Sequence, residues 1–205
     1  MLKYSLVFIL LLILLSACSL FVKTDVAKEE LLLQHLQRWR SFRLKGIAEV
    51  SFNQFRLRKN VHINRTEDSL NISLFDSGIF GLRPTPFMTI DIDSGLSISL
   101  PDNFKNSIGG LPDENDLNIA MINSLIDELE DNRREIVKNG KLMIKDSIIA
   151  FNREMMIDSI EFNNNEDEIL LQFDYRSADL SGIEFFLNNN RLLEVSVDTI
   201  TFTSD

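Results

Sequence analysis

The chain has 205 residues, of which 44% are hydrophobic and 25% charged, a composition that excludes a mainly disordered or collagen-like protein. Its formal net charge of −10 argues against a nucleic-acid partner, because phosphate binding needs clustered Lys and Arg. The single cysteine excludes an internal disulfide framework and a Cys-rich zinc site.

The N-terminal segment has the parts of a secretory signal in the usual order. Lys3 supplies a short positive region, and an apolar run of eleven residues follows, Ser5 to Leu15. A permanent membrane helix needs about 20 residues, so this run is too short for one. Leu15-Ser16-Ala17-Cys18 resembles the lipobox of bacterial lipoproteins, which implies cleavage after Ala17 and lipidation of Cys18. The alternative is an ordinary signal peptide or an uncleaved anchor with a chance cysteine.

These features predict three segments: a signal peptide at 1–17, a lipidated tether at 18–24 and a single folded domain at 25–205. Removing Lys3 with the signal takes the net charge from −10 to −11, so we expect anionic headgroups to repel the folded domain. The domain would then be connected to the membrane through its tether and would not lie on the surface. Ser19 follows Cys18, whereas Asp at that position favours inner-membrane retention in enterobacterial lipoproteins. We therefore expect a lipid-anchored protein of the cell envelope, on the outer membrane and facing the periplasm.

The first half of the domain predicts one helix and five strands. The helix spans 24–40, with Thr24 or Asp25 as its N-cap and an apolar stripe through Leu32, Leu36 and Trp39. From Phe42 the apolar period changes to two, which predicts a strand of about eleven residues with one polar face. The further strands are predicted from 55 to about 63 and at 69–75, 86–93 and 96–100. Short connections between them predict a meander.

The second half predicts a loop over 101–116, a helix over 113–132 and five more strands, at 141–151, 156–163, 168–176, 182–187 and 191–202. The fold class is therefore mainly β (α+β). About ten antiparallel strands cannot lie in one flat sheet, since large sheets twist and curl. We expect a curved half-barrel with the N-terminal helix and a helical lid on its concave side.

The first strand carries two small residues, Gly46 and Ala48, in the middle of its apolar face. Small residues ringed by bulky ones leave unfilled volume suited to an acyl chain, since each methylene moved out of water gains about 0.8 kcal/mol. The alternative is that they make room for Trp39 or Met121 from a covering helix. The candidate residues of an apolar cavity are Trp39, Phe42, Leu44, Gly46, Ala48, Val50, Met121 and Leu125.

The sequence contains no recognisable catalytic motif. It has no Gly-x-Ser-x-Gly elbow, no His-Glu-x-x-His, no Ser-x-x-Lys and no phosphate-binding glycine loop. His35 falls in the first helix and His62 on the polar face of the second strand, and we expect both to be solvated. We therefore expect a non-enzymatic protein with no catalytic residue, no metal and no cofactor.

In topology the chain resembles the LolA/LolB lipoprotein-localisation family, and specifically a LolB-like outer-membrane lipoprotein. The resemblance rests on the lipobox at Leu15 to Cys18, the helix end Arg38-Trp39-Arg40, the strand from Ser41 to Val50 and the inter-strand segment from Asp76 to Leu82. That family has an N-terminal helix, a long hairpin and an open antiparallel half-barrel with a helical lid over an apolar cavity. The resemblance implies the same single domain here.

The resemblance also implies a function. In the family, LolA shuttles acylated proteins across the periplasm, and LolB receives them and inserts them into the outer membrane. The implied partners are acyl chains of lipoproteins or another amphiphile, a LolA-like periplasmic carrier, and the membrane through lipidated Cys18. An exposed apolar loop tip aids insertion in LolB, which implies such a role for Ile79, Phe80 or Leu82, with Phe80 as first choice; alternatively these side chains fold into the core. The second function hypothesis is an assembly or scaffold lipoprotein that binds a protein partner with the same fold.

Overall fold

The computed structural model describes residues 24–52, 55–75, 86–100, 118–163 and 167–203. The predicted signal peptide, Cys18 with most of the tether, and the predicted insertion loop with Ile79, Phe80 and Leu82 lie outside these residues. Within the described ranges, no helix has both the length and the apolar character needed to cross a membrane.

The described ranges contain three helices, and each begins or ends at a residue suited to that position. Helix α1 (Asp25–Arg38) is capped by Thr24, whose Oγ1 accepts from the Ala27 N–H at 3.3 Å, as the sequence predicts. Helix α2 (Ile119–Asp131) is capped by Asn118 in the same way. Helix α3 (Arg133–Asn139) ends at Gly140, which has φ of 70° and closes the helix in the left-handed conformation.

In the part of the chain that the structure describes, eleven strands pair antiparallel in one open sheet. In chain order they are β1 (Phe42–Phe52), β2 (Phe55–Arg65), β3 (Leu70–Phe75), β4 (Pro86–Ile92), β5 (Leu96–Ser99), β6 (Lys141–Ile144), β7 (Ser147–Phe151), β8 (Ile157–Asn163), β9 (Glu168–Arg176), β10 (Asp179–Leu187) and β11 (Asn190–Phe202). The mainly antiparallel fold class is confirmed, and the curved sheet is half-barrel-like.

Two elements differ from the prediction. The segment predicted as one strand over 141–151 is two strands, β6 and β7, because the chain turns at Lys145 with a positive φ of 52°. The second predicted helix ends at Asp131, and a separate helix, α3, follows it. Where about ten strands and two helices are predicted, the described residues form eleven strands and three helices.

The sheet consists of two meanders joined through the pairing of β1 with β11. Its order is β5-β4-β3-β2-β1-β11-β10-β9-β8-β7-β6, so consecutive strands are neighbours within each half. The chain leaves the first meander at one sheet edge, β5, and enters the second at the other edge, β6. The connection between them contains α2 and α3, and this topology places both helices across a face of the sheet.

Candidate functional site

The strand register defines one continuous apolar face, which we call the inner face. On β1 it carries Leu44 and Ala48, which are buried, while Arg43 and Lys45 on the opposite face are exposed. Residues directly opposite each other in antiparallel strands point to the same side, so the register extends this face across the sheet. The cross-strand partners of Leu44 are Ile63 on β2 and Ile200 on β11, both apolar.

Two groups of buried residues lie on the inner face. The helix-side cluster joins all three helices to β6, β7, β8 and the turn before β8, through Leu32, Leu36, Ile126, Leu129, Ile136, Val137, Leu142, Ile149, Phe151, Met155 and Ile157. The central cluster consists of strand residues alone, namely Phe42, Leu44, Ala48, Val61, Leu74, Leu180 and Val195. The described helices therefore pack mainly over the half of the sheet that contains β6 to β8.

Trp39 connects the two clusters. It is the C-cap residue of α1 and is partly buried against both groups. Its ring meets that of Phe42 edge-on, with centroids 5.4 Å apart, and that of Phe173 with centroids 5.7 Å apart. The predicted association of Trp39 with the apolar face of β1 is thus present in the structure.

The remaining candidate cavity residues do not all meet at one place. Leu125 packs against the helix-side cluster, and Val50 is partly buried near the far end of β1. Met121 on α2 is 50% exposed, so it does not fill space beside the small residues of β1. The structure brings Trp39, Phe42, Leu44 and Ala48 together in one cluster.

Gly46 has a different role from the one suggested by its size. The register between β1 and β11 shifts between Lys45 and Gly46, and the β11 backbone lies close to Gly46 at this irregularity. A Cβ atom on Gly46 would collide with the carbonyl oxygen of Ser196 and come within 3.2 Å of the Cα of Val197. Interpreting Gly46 as leaving an apolar void is therefore wrong, because the neighbouring backbone occupies that space.

Helix α2 is tied to the ends of the strands by polar contacts along one side. The N–H of Ile119 donates to the Asp93 carbonyl in the β4–β5 turn at 2.9 Å. Asn123 accepts a hydrogen bond from Arg65 and donates to the Glu67 carbonyl, each at 2.8 Å. Further along α2, Asp127 and Glu130 both bind Arg40, and the hydrogen bond that Arg40 donates to Asp127 is the main reason that the pKa of Arg40 is raised.

Arg65 is a functional candidate that the sequence analysis missed. It lies on the inner face opposite Phe42 and is only 6% exposed. Burial, and then the positive charge of Arg40, lower the pKa of its guanidinium. The signal was the period-two pattern itself, which puts Arg65 on the apolar side of β2 two positions after Ile63.

The two histidines have different surroundings. His62 lies on the outer face, and its pKa is lowered, first by burial and then by the charge of Lys45. His35 is less solvated than expected, since its Nδ1 lies 3.3 Å from the Met155 carbonyl oxygen and joins α1 to the turn before β8. Within the described ranges, no group of three or more His, Cys, Asp or Glu residues could hold a metal ion.

Two surface grooves lie near these elements. One, of about 630 Å³, is lined largely by polar residues between α1 and the ends of β1 and β11, including Arg38, Arg40 and Glu130. The other, of about 230 Å³, lies along β1 and β2 beside Arg43 and His62. Neither has the lining expected for the predicted apolar cavity.

No protein-family model matches the chain, and no curated protein matches it either.

Proposed function

We propose that this protein is a lipid-anchored, non-enzymatic carrier that accepts acyl chains of lipoproteins, or of another amphiphile, and delivers them to the outer membrane. The observation that carries the proposal is the apolar inner face around the central cluster. There the partly buried residues include Ile63, Ile72, Met88, Ile183 and Leu193. Among the described residues, Trp39 at the end of α1 is the only hydrophobic residue outside the strands that packs against the central cluster.

Such a surface suits an acyl chain for a simple physical reason. Partly buried apolar side chains retain contact with water. An acyl chain that covers them gains about 25 cal/mol of free energy per Å² of apolar surface removed from water. Because the face is only partly covered, it would hold a chain less completely than a bilayer does. The difference in burial would favour release to the membrane, with lipidated Cys18 keeping the carrier at its surface.

The test uses a pair of neighbouring residues on β4 that point to opposite faces. The full chain in lipid nanodiscs is exposed to a photoreactive fatty alcohol, and the labelled peptides are identified by mass spectrometry. We expect labelling on the inner face, reduced about tenfold by Met88→Glu, because an acyl chain would then meet an unpaired carboxylate. Thr89→Glu adds the same charge on the outer face and should leave labelling within about twofold of wild type.

Two outcomes would contradict the carrier proposal. Labelling confined to the outer face, or equal loss in both variants, would show that the inner face does not receive the chain. A stoichiometric protein that co-purifies with the full chain and blocks labelling would instead favour the scaffold hypothesis, in which the same fold binds a protein partner.

The anchor and the loop are tested separately. Cys18→Ser should move the protein from the membrane fraction to the soluble or precursor fraction, and the mass of the N-terminal peptide should show the acyl chains of the wild type. Phe80→Glu should impair delivery to vesicles while leaving the unfolding midpoint unchanged. A large fall in that midpoint would identify Phe80 as a core residue.

A further inference from the structure

Arg65 is a buried cation on an otherwise apolar surface. Its side chain makes one hydrogen bond within the described part of the chain, from Nη2 to Asn123 Oδ1 at 2.8 Å. The Nε atom has less than 1 Å² of accessible area and no hydrogen-bond partner. Asn123 is neutral, so the guanidinium is hydrogen-bonded but not neutralised by it.

Two carboxylates on α2 are engaged by a different arginine. Asp127 and Glu130 both bind Arg40, at 2.6 Å and 3.1 Å from its Nη2. Arg40 adds positive charge near Arg65, and this charge, after burial, lowers the pKa of Arg65. Arginine nevertheless stays protonated in proteins, and a buried guanidinium ordinarily has an anionic partner.

The surroundings of Arg65 define what kind of anion would fit. Its cross-strand partners are Phe42 on β1 and Leu70 on β3, and Ile63 lies two positions before it on the same face. The apolar face continues from these residues along β1 and β2 through Leu44 and Val61. The Arg65 guanidinium therefore lies at the helix-covered end of a long apolar surface.

We propose that Arg65 binds the carboxylate of a single-chain anionic amphiphile, a fatty acid or a fatty-acid-like ligand, whose chain lies along the inner face. This inference rests on the proposed function and specifies the other amphiphile that it allows, because the acyl chains of a lipoprotein are ester- or amide-linked and carry no free carboxylate. A carboxylate matches the guanidinium in shape and would accept a hydrogen bond from Nε, which has no partner among the described residues. Because Nε is inaccessible in the structure, binding requires the groups packed over Arg65 to move aside.

The experiment compares two probes on each protein. Full chains in nanodiscs are labelled with a photoreactive fatty acid and with the fatty alcohol of the same chain length. In the wild type we expect the acid to label the inner face about tenfold more than the alcohol, the size of effect typical of a hydrogen bond to a charged group. The ratio of acid to alcohol should fall to about one in Arg65→Met and to an intermediate value in Arg65→Lys.

Arg43→Met is the matched control, because Arg43 is an exposed arginine on the outer face of β1. It should keep the wild-type ratio. Equal labelling by both probes in wild type would overturn the role of Arg65 while leaving the carrier proposal intact. Failure of both probes to label the inner face of the wild type would instead overturn the carrier proposal. If Arg65→Met does not fold, the ratio of acid to alcohol labelling in the wild type still tests the proposal, because equal labelling by the two probes contradicts it.

Discussion

Replacing Gly46 with alanine should destabilise the protein strongly, because the added methyl group would meet only backbone atoms. Besides the clash with the Ser196 carbonyl oxygen, the new Cβ would lie 3.1 Å from the Ser196 carbonyl carbon and 3.2 Å from the Val197 Cα. No flexible side chain can move aside, so β1 and β11 must separate locally. Overpacking of this kind costs about 3 kcal/mol, from which up to about 1 kcal/mol is recovered because alanine restricts the unfolded chain. We expect a net loss of about 2 kcal/mol or more in the free energy of unfolding.

Denaturant unfolding monitored by circular dichroism measures this loss, and Gly182→Ala is its matched control. Gly182 lies on β10, and a Cβ there would meet the Asp174 side chain, whose Oδ2 is 3.3 Å away. That carboxylate can rotate, so the change should stay within about 0.5 kcal/mol of wild type. If Gly46→Ala were as mild as the control, the close approach of β11 would be refuted and Gly46 could again border an open space.

Three further predictions concern the core, a turn and a tyrosine hydroxyl. Ile136→Ala, at a position that is 0% exposed, should lower the free energy of unfolding by about 2–5 kcal/mol, whereas Met143→Ala, 68% exposed, should change it by less than about 0.5 kcal/mol. The pKa of Asp93 is lowered, chiefly because its carboxylate accepts a hydrogen bond from the backbone N–H of Gly95. The ionised carboxylate therefore stabilises the protein fully above its ordinary pKa of 3.8, and this stabilisation is lost as the pH falls further. The difference in melting temperature between wild type and Asp93→Asn should therefore shrink below about pH 4, and a constant difference would refute this. Tyr175→Phe removes a hydroxyl that donates a partly buried hydrogen bond to the Ile157 carbonyl at 2.8 Å, and should cost about 1–2 kcal/mol in a thermal or denaturant melt.

Much of the secondary structure follows from local pattern. The alternation from Phe42 onward predicted β1 with its observed bounds, and Thr24 was among the predicted N-caps of α1. Asn188 and Asn189 join β10 to β11 with positive φ, a conformation that asparagine tolerates. These features depend on side chains a few positions apart, so they can be predicted from a short stretch of sequence.

The missed elements had weaker local signals. The turn at Lys145 lies inside a run that is apolar on both sides, and no glycine marks it, so one strand was predicted where two exist. Helix α3 follows α2 with only Asn132 between them, and Gly140 is the signal that could have located its end. Length of an apolar run alone does not show where a chain reverses.

The period of each strand, and hence which side chains share a face, can be read from the residues alone, because alternation is a property of the chain's own geometry. What those side chains meet depends on long-range packing. The pairing of β1 with β11, about 150 residues apart in the chain, places the Ser196 carbonyl beside Gly46 and excludes the void that its size suggested. The same long-range packing sets Arg65 beneath Asn123, since a residue's burial and its charge partners depend on elements that no local pattern can place.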